Sequence, residues 1–258
     1  MIKKTFYSFF YNLRLYFYYG ARRVGMPGYQ VHQIVLPGHQ LIYIPIPKNA
    51  CSSIKHLLYE LEFDQEYNYK EHREWGYQNI HDYYHKRPQA FTGVKSLEAD
   101  SRNIIFAVVR DPVKRFISCY RNRVIDLQDL KCSQKELEKR GLPVIPDINF
   151  FVDHLIDYSN INTSLEHHLR PQYLFLGNSL TYLDEIFTLS ELSKLEERLQ
   201  KYNSNIELRS EKSGGSSYSL QDLTRESLEK VIDYYSRDYK LLEDYFSADE
   251  VRKKYQKG

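Results

Sequence analysis

The stretch that decides the fold is residues 41–61, LIYIPIPKNACSSIKHLLYEL. Its first six residues form an apolar run that predicts a short buried strand. Apolar residues then recur at the i, i+3, i+4, i+7 spacing of a helix face, at Ile54, Leu57, Leu58 and Leu61. A strand, a tight turn and a helix are therefore expected in direct succession.

Residues 104–120, IIFAVVRDPVKRFISCY, repeat this pattern. Residues 104–109 predict a second buried strand, Asp111 is a suitable N-cap, and Pro112 suits the first helical position. Later parts of the chain add two strand-like runs and two helical stretches, at residues 173–176, 183–188, 190–202 and 224–245. Strands that alternate with helices indicate an α/β fold with a central parallel sheet flanked by helices. Ligands bind at the carboxyl ends of the strands in such sheets, where both turns lie.

The composition narrows the class of protein. The chain has 258 residues and a mass of 30.9 kDa, which is enough for one large α/β domain with a substantial core. Its 36 basic and 34 acidic side chains give a net charge of +2, which argues against nucleic acid as a partner. Three cysteines occur, Cys51, Cys119 and Cys132, and this small odd number favours a reducing compartment over a disulfide framework.

The turn between the first strand and its helix has the composition of an anion site. It reads IPKNACSSIK at residues 46–55, so Lys48 precedes small residues, and Ser52 and Ser53 open the helix. Backbone N–H groups at a helix start, helped by the helix dipole, bind phosphate or sulfate. A plain strand-to-helix turn capped by serine is the alternative. The turn is not a Walker A loop, because the G-x-x-x-x-G-K-[ST] spacing is absent.

The second turn adds an arginine where its strand ends. Arg110 and the hydroxyl of Ser118, two helical turns beyond Asp111, could converge on one phosphate. Arginine suits this role because its planar fork donates two hydrogen bonds to phosphate oxygens. The alternative is that Arg110 pairs with a carboxylate of the fold.

Together, the turns I-P-K-N-A-C-S-S and V-V-R-D-P-V-K-R-F-I-S-C-Y resemble the cofactor-binding signatures of the type 2 family of carbohydrate sulfotransferases. Residues 166–172, EHHLRPQ, are similar to the family's His-x-x-Pro-Gln element before a strand, and the resemblance covers about residues 40–246. It implies a P-loop-like three-layer domain. It also implies in-line transfer of a sulfuryl group from 3′-phosphoadenosine 5′-phosphosulfate (PAPS) to a hydroxyl of a carbohydrate or polysaccharide.

The resemblance also implies roles for individual residues. Those implied at the 5′-phosphate are Lys48, Asn49, Ala50, Cys51, Ser52 and Ser53. Lys48 would neutralise the charge that develops on the leaving oxygen, while Arg110 and Ser118 would bind the 3′-phosphate, with 3′,5′-ADP as the product. No metal is expected, because the first turn has no aspartate arranged for magnesium and the histidines lack zinc spacing.

A histidine is the natural general base for the acceptor hydroxyl near neutral pH. His81, between the two turns, is the first candidate, and His168 of the His-x-x-Pro-Gln element is the second. Less favoured candidates are His72, His167, Glu71, Glu74 and Glu166. The tyrosine-rich segment at residues 67–85, with Trp75, suits a glycan or glycolipid acceptor, although aromatic residues are equally core material.

Residues 1–30 are expected to form an amphipathic helical extension ahead of an α/β domain at residues 31–258. A helical stripe of apolar residues runs through it, at Phe6, Phe9, Phe10, Leu13 and Phe17. Two uses stay open: docking on its own domain or on a twin subunit of a homodimer, and peripheral contact with a membrane. The expected location is the cytoplasm, with the inner face of the membrane as the place of any such contact.

Two other functions stay open on the sequence. A P-loop kinase that uses ATP and magnesium is one, although the Walker A lysine spacing is absent. A non-catalytic membrane-surface protein, in which the N-terminal helix is the functional element, is the other. Residues 212–217, KSGGSS, would cover the 3′-phosphate in a sulfotransferase, and a plain flexible turn is the alternative for them.

Overall fold

The computed structural model describes residues 33–86, 103–209 and 217–257. The helix expected at residues 1–30 and nearly all of the loop at residues 212–217 lie outside the described residues, so both stay predictions. Within the described ranges, no helix is long and apolar enough to cross a membrane.

The described strands form one mixed sheet in the order β1-β2-β3-β4. They are β1 (Ile34–Leu36), β2 (Leu41–Ile44), β3 (Ile104–Val109) and β4 (Glu185–Thr188). Strands β2, β3 and β4 run parallel, with Phe106 opposite Tyr43 on one side and Glu185 on the other. The expected α/β class with a central, mostly parallel sheet is confirmed. The antiparallel edge strand β1 was not predicted, because three apolar residues are too few to show a strand's periodicity.

The described helices are short apart from the first. In chain order they are α1 (Cys51–Phe63), α2 (Tyr69–Glu74), α3 (Ile80–Lys86), α4 (Pro112–Cys119), α5 (Gln134–Lys139), α6 (Ile148–Asp153), α7 (Leu155–Ile161), α8 (Thr163–Leu169), α9 (Tyr173–Leu176), α10 (Leu192–Gln200), α11 (Arg225–Tyr234), α12 (Ser236–Leu241) and α13 (Ala248–Lys257). A π-helical segment, Tyr120–Asp126, continues α4.

The described residues fall into two compact units. Within the described ranges, the strand unit comprises residues 33–86, 103–110 and 174–209 and holds all four described strands, whereas the helical unit comprises residues 111–173 and 217–257. Part of the strand unit's core covers one face of the sheet, where the ring of Tyr43 stacks on that of Phe106 at 5.1 Å. The apolar positions that predicted α1 pack into this core, so the helix is fixed by burial of one face.

The helical unit begins at the N-cap of α4. The carboxylate of Asp111 accepts a hydrogen bond from the backbone N–H of Lys114 at 2.9 Å, and Pro112 occupies the first turn, as the sequence predicted. The Tyr239 hydroxyl donates to the other oxygen of Asp111 at 3.3 Å. Burial raises the pKa of Asp111, and the hydrogen bond from the Lys114 N–H opposes that shift.

The prediction of a strand at residues 173–176 is wrong, because this segment is helix α9. The buried carboxylate of Asp238 accepts from the backbone N–H groups of Gln172 and Tyr173, each at 2.8 Å, and so caps the start of a helix. Burial raises the pKa of Asp238 to about 6, although these two amides and the charge of Arg115 oppose the shift. A four-residue apolar run does not by itself distinguish a strand from a buried helix.

Two helix boundaries also differ from the prediction. A 3₁₀ turn at Leu189–Glu191 precedes α10, and its capping residue is Thr188 rather than Ser190. Thr224 caps the next helical stretch as expected, but α11 ends at Tyr234 and α12 at Leu241, so the single helix predicted for residues 224–245 is broken. The helix α13 beyond it had no counterpart in the prediction.

Candidate active site

The turn between β2 and α1 has an unusual backbone. Lys48 and Ala50 both adopt the left-handed conformation, with φ of 70° and 56°, although neither is glycine. This conformation destabilises a non-glycine residue by roughly 1–2 kcal/mol. Alternating backbone conformations of this kind turn successive N–H groups into a concave anion site, and such strain clusters at ligand-binding turns.

The first turn of α1 adds three backbone donors to this concavity. Within the helix the first bond runs from the Ile54 N–H to the Ala50 carbonyl, so the amides of Cys51, Ser52 and Ser53 have no intrahelical acceptor. Ala50 occupies the N-cap and has no side chain that could accept from them. A helix start without a cap is suited to an external anion. We call the turn at residues 47–50 together with this helix start the cradle.

Asn49 supports the cradle from inside. Its side chain is fully buried, and Nδ2 donates to the carbonyl of Val108 on β3 at 2.9 Å. Its backbone N–H donates to the Ile46 carbonyl at 3.3 Å. Both nitrogens of Asn49 therefore bond within the protein, so this residue shapes the turn, while the amides of residues 50–53 remain the predicted donors to an anion.

Arg110 joins the second turn to the first. Its NH1 donates to the backbone carbonyl of Lys48 at 2.9 Å. The two turns that the sequence singled out are therefore in contact, and both Lys48 and Arg110 are half-buried within the strand unit. The carbonyl that Arg110 holds belongs to the strained residue Lys48, so the guanidinium also stabilises the shape of the cradle.

His81, the first candidate base, contacts the cradle. It is exposed on α3, with Nε2 2.9 Å from Ser52 Oγ and Nδ1 3.1 Å from Lys55 Nζ. Lys55 is a residue that the motif comparison did not single out. Its signal was present in the sequence, because it follows Ser52 by three positions and so shares a face of α1 with it.

The environment of Lys55 disfavours its charged form relative to solvent. Burial lowers the pKa of this amine, and the nearby Cys51 thiol partly opposes the shift. The same thiol and, more strongly, burial raise the pKa of Tyr43 well above its ordinary value. Cys51 is itself half-buried and forms no disulfide within the described residues.

Ser118 and His168 belong to the helical unit. Ser118 is half-buried on α4, and His168 on α8 bonds through Nδ1 to the carbonyl of Ser164 at 2.7 Å. A carbonyl only accepts, so the neutral ring carries its proton on Nδ1 and its lone pair on Nε2. The backbone carbonyl of His168 accepts from the buried Arg115 at 3.0 Å. The proposed roles of Ser118 and His168 stay predictions.

The less favoured base candidates serve other purposes or lie open to solvent. His72 is 1% exposed and packs at 3.9 Å on the ring of Tyr67, which places it in the core. The carboxylate of Glu166 is held by Arg170 at 2.7 Å. Glu71 and Glu74 are exposed on α2. Among the described residues, no group of histidine, cysteine or carboxylate side chains could hold a metal ion.

Most tyrosines of the segment at residues 67–85 are core residues. Tyr67, Tyr83 and Tyr84 are buried, so they offer no face to a glycan. Trp75 is 58% exposed and Tyr69 44%, and these two rings are the part of the segment that a sugar could contact.

The sequence model of the sulfotransferase family matches residues 31–245. No curated protein and no solved structure matches the chain. The matched range includes both turns, the candidate base on α3 and the His-x-x-Pro-Gln element, and it covers far more than half of the 258 residues. The chain therefore belongs to the type 2 sulfotransferase family.

Proposed function

We propose that this sulfotransferase takes its sulfuryl group from PAPS and transfers it to a hydroxyl of a carbohydrate or polysaccharide by in-line displacement. The observation that carries the proposal is the cradle, which combines a strained turn with an uncapped helix start. Arg110 adds a cation beside it, bonded to the carbonyl of Lys48. A donor with two phosphate groups suits a site with two cationic residues, and Lys48 and Arg110 lie on two turns that are in contact.

Each residue of the cradle has a distinct task in this reaction. The backbone amides at the start of α1 bind the 5′-phosphate, and Lys48 neutralises the charge that grows on its leaving oxygen. Arg110 binds the 3′-phosphate, and the part that the sequence assigns to Ser118 there stays a prediction. The bound donor supplies the sulfuryl group, and the chain contributes orientation and fixed positive charge.

His81 is the group that removes the acceptor's proton. It contacts a cradle residue, with Nε2 at 2.9 Å from Ser52 Oγ, so a hydroxyl brought to it lies close to the donor. The exposed ring of Trp75, at the end of α2, offers the apolar face against which a sugar ring packs. These two features favour a glycan acceptor.

The donor site is tested by thermal shift with 3′,5′-ADP and by release of 3′,5′-ADP during turnover of PAPS with candidate glycans. Ligand at 100 times its Kd stabilises the fold by about 2.7 kcal/mol, and Lys48→Ala and Arg110→Ala are expected to remove most of this stabilisation. The matched controls Lys253→Ala and Arg225→Ala change exposed cations of the helical unit and are expected to keep it.

Two results would overturn the proposal. Stabilisation by ATP with magnesium but not by 3′,5′-ADP would point to the kinase alternative. Turnover of Lys48→Ala at the rate of Lys253→Ala would show that the cradle is not the donor site.

A further inference from the structure

His81 bridges two residues of α1 with its two ring nitrogens. Nδ1 lies 3.1 Å from Nζ of Lys55, and Nε2 lies 2.9 Å from Oγ of Ser52. Lys55 is placed one helical turn after Ser52, so the same face of α1 holds both contacts. The three side chains form a continuous hydrogen-bonded chain within the strand unit.

The protons in this chain depend on one another. A charged Lys55 ammonium has only donors, so Nδ1 must accept from it, and Nε2 then carries the ring proton and donates to Ser52. A neutral Lys55 amine accepts from Nδ1–H, and Nε2 then has a lone pair that accepts from Ser52. If both groups were protonated, two donors would face each other at 3.1 Å.

The surroundings favour a lysine that releases its proton readily. In the described part of the chain Lys55 pairs with no carboxylate, and burial lowers its pKa while Cys51 partly opposes the shift. Asp82, the neighbour of His81 on α3, bonds instead to the backbone N–H of Gln78 and to Lys86. Among the described residues, Ser52 and Cys51 on α1 act on the pair, whereas Asp82 bonds to other groups.

We infer that Lys55 and His81 share a single proton, and that Lys55 is the positioning residue that decides which ring nitrogen of His81 is free to act as a base. The role of Lys55 in preparing His81 as a base rests on the proposed function. With Lys55 neutral, the acceptor hydroxyl replaces Ser52 at Nε2 and its O–H bond breaks as the Nε2–H bond forms. The proton on Nδ1 passes to Nζ, and the acceptor oxygen bonds to the sulfur as the bond from the sulfur to the 5′-phosphate oxygen breaks. The electron pair of that bond leaves with 3′,5′-ADP, and the proton taken from the acceptor ends on Lys55 as an ammonium.

The shared proton is tested by NMR titration of the full chain labelled with ¹⁵N-histidine, with His81→Gln used to assign the signals. In Lys55→Met the His81 ring is expected to reach the imidazolium form at a pH at least roughly one unit above that of the wild type, since a neighbouring charge no longer opposes it. Lys55→Arg, which keeps a permanent charge, is expected to titrate no higher than the wild type. Equal midpoints in the wild type and Lys55→Met would overturn the inference.

Lys55→Gln gives the same comparison if Lys55→Met lowers stability, because glutamine keeps a hydrogen-bonding group without the charge.

The positioning role is tested by the pH profile of kcat. In the wild type the active form has lost the proton that Lys55 and His81 share, whereas in Lys55→Met only the His81 ring must be neutral. Lys55→Met is therefore expected to move the rising limb to lower pH. Lys55→Arg is expected to lower kcat at least tenfold with the KM for PAPS unchanged. A kcat profile of Lys55→Met identical to that of the wild type would overturn the positioning role. If instead NMR shows that Lys55 and His81 titrate together but the protein does not turn over PAPS, the result would count against the proposed function.

Discussion

Asn49→Ala tests how the cradle is held in shape. The Asn49 side chain is 0% exposed, and its Nδ2 donates to the carbonyl of Val108 at 2.9 Å. Alanine removes this donor from a buried carbonyl, and such a loss destabilises a protein by about 1–3 kcal/mol. For a chain of this size, 2 kcal/mol corresponds to a fall in Tm of roughly 4–8 °C.

Thermal and urea unfolding measure this change, with Asn160→Ala on α7 as the matched control. Asn160 is exposed, so its substitution is expected to change the free energy of unfolding by less than about 0.5 kcal/mol. Asn49→Asp sets a carboxylate against the Val108 carbonyl. It is expected to be less stable than Asn49→Ala at pH 7 and to recover as the pH falls, because a protonated carboxyl can donate to that carbonyl. An Asn49→Ala variant as stable as Asn160→Ala would refute this reasoning.

Three further predictions concern the groups around the two turns. Asp238→Ala removes the buried acceptor that caps α9 and is expected to lower the free energy of unfolding by about 3–5 kcal/mol in urea denaturation, whereas the exposed Asp244→Ala leaves it nearly unchanged. Tyr239→Phe removes the hydroxyl that donates to Asp111 and is expected to reduce stability by about 0.5–1.5 kcal/mol in the same assay. Arg110→Lys keeps the charge but loses the planar fork, so calorimetry should show at least tenfold weaker binding of 3′,5′-ADP with little change in Tm.

The parts of the fold that the sequence predicted are those in which one local pattern decides the structure. The strand β3 was predicted with its exact bounds because six apolar residues end at the Asp111–Pro112 helix start. The strand–turn–helix around Lys48 was predicted for the same reason, and with it the place of the cradle. The contact between Arg110 and Lys48 followed from sheet topology, since adjacent parallel strands end at the same edge.

The errors and omissions concern structure that depends on residues distant in the sequence. Residues 173–176 were predicted to form a strand, yet the carboxylate that starts the helix there belongs to Asp238, 65 positions beyond Tyr173. Lys55 was not singled out because its partner His81 is 26 residues away, on a helix that the sequence pattern did not define. The backbone amide of Asn49 was assigned to the ligand from its place in the motif and stays a prediction, whereas the contact of its side chain with β3 was not predicted.

A net charge of +2 is compatible with a strong anion site because the charges of α1 are arranged against its own dipole. A helix is stabilised by carboxylates in its first turn and cations in its last, yet α1 has neither, and its two carboxylates, Glu60 and Glu62, lie at its far end. Glu60 is neutralised there by Arg209 at 2.8 Å. At the start, Lys48 adds positive charge where the dipole is already positive. An unfavourable charge at a helix end destabilises the helix by about 0.3–1 kcal/mol, and an anion bound at the cradle offsets this cost because it attracts both Lys48 and the positive end of the dipole.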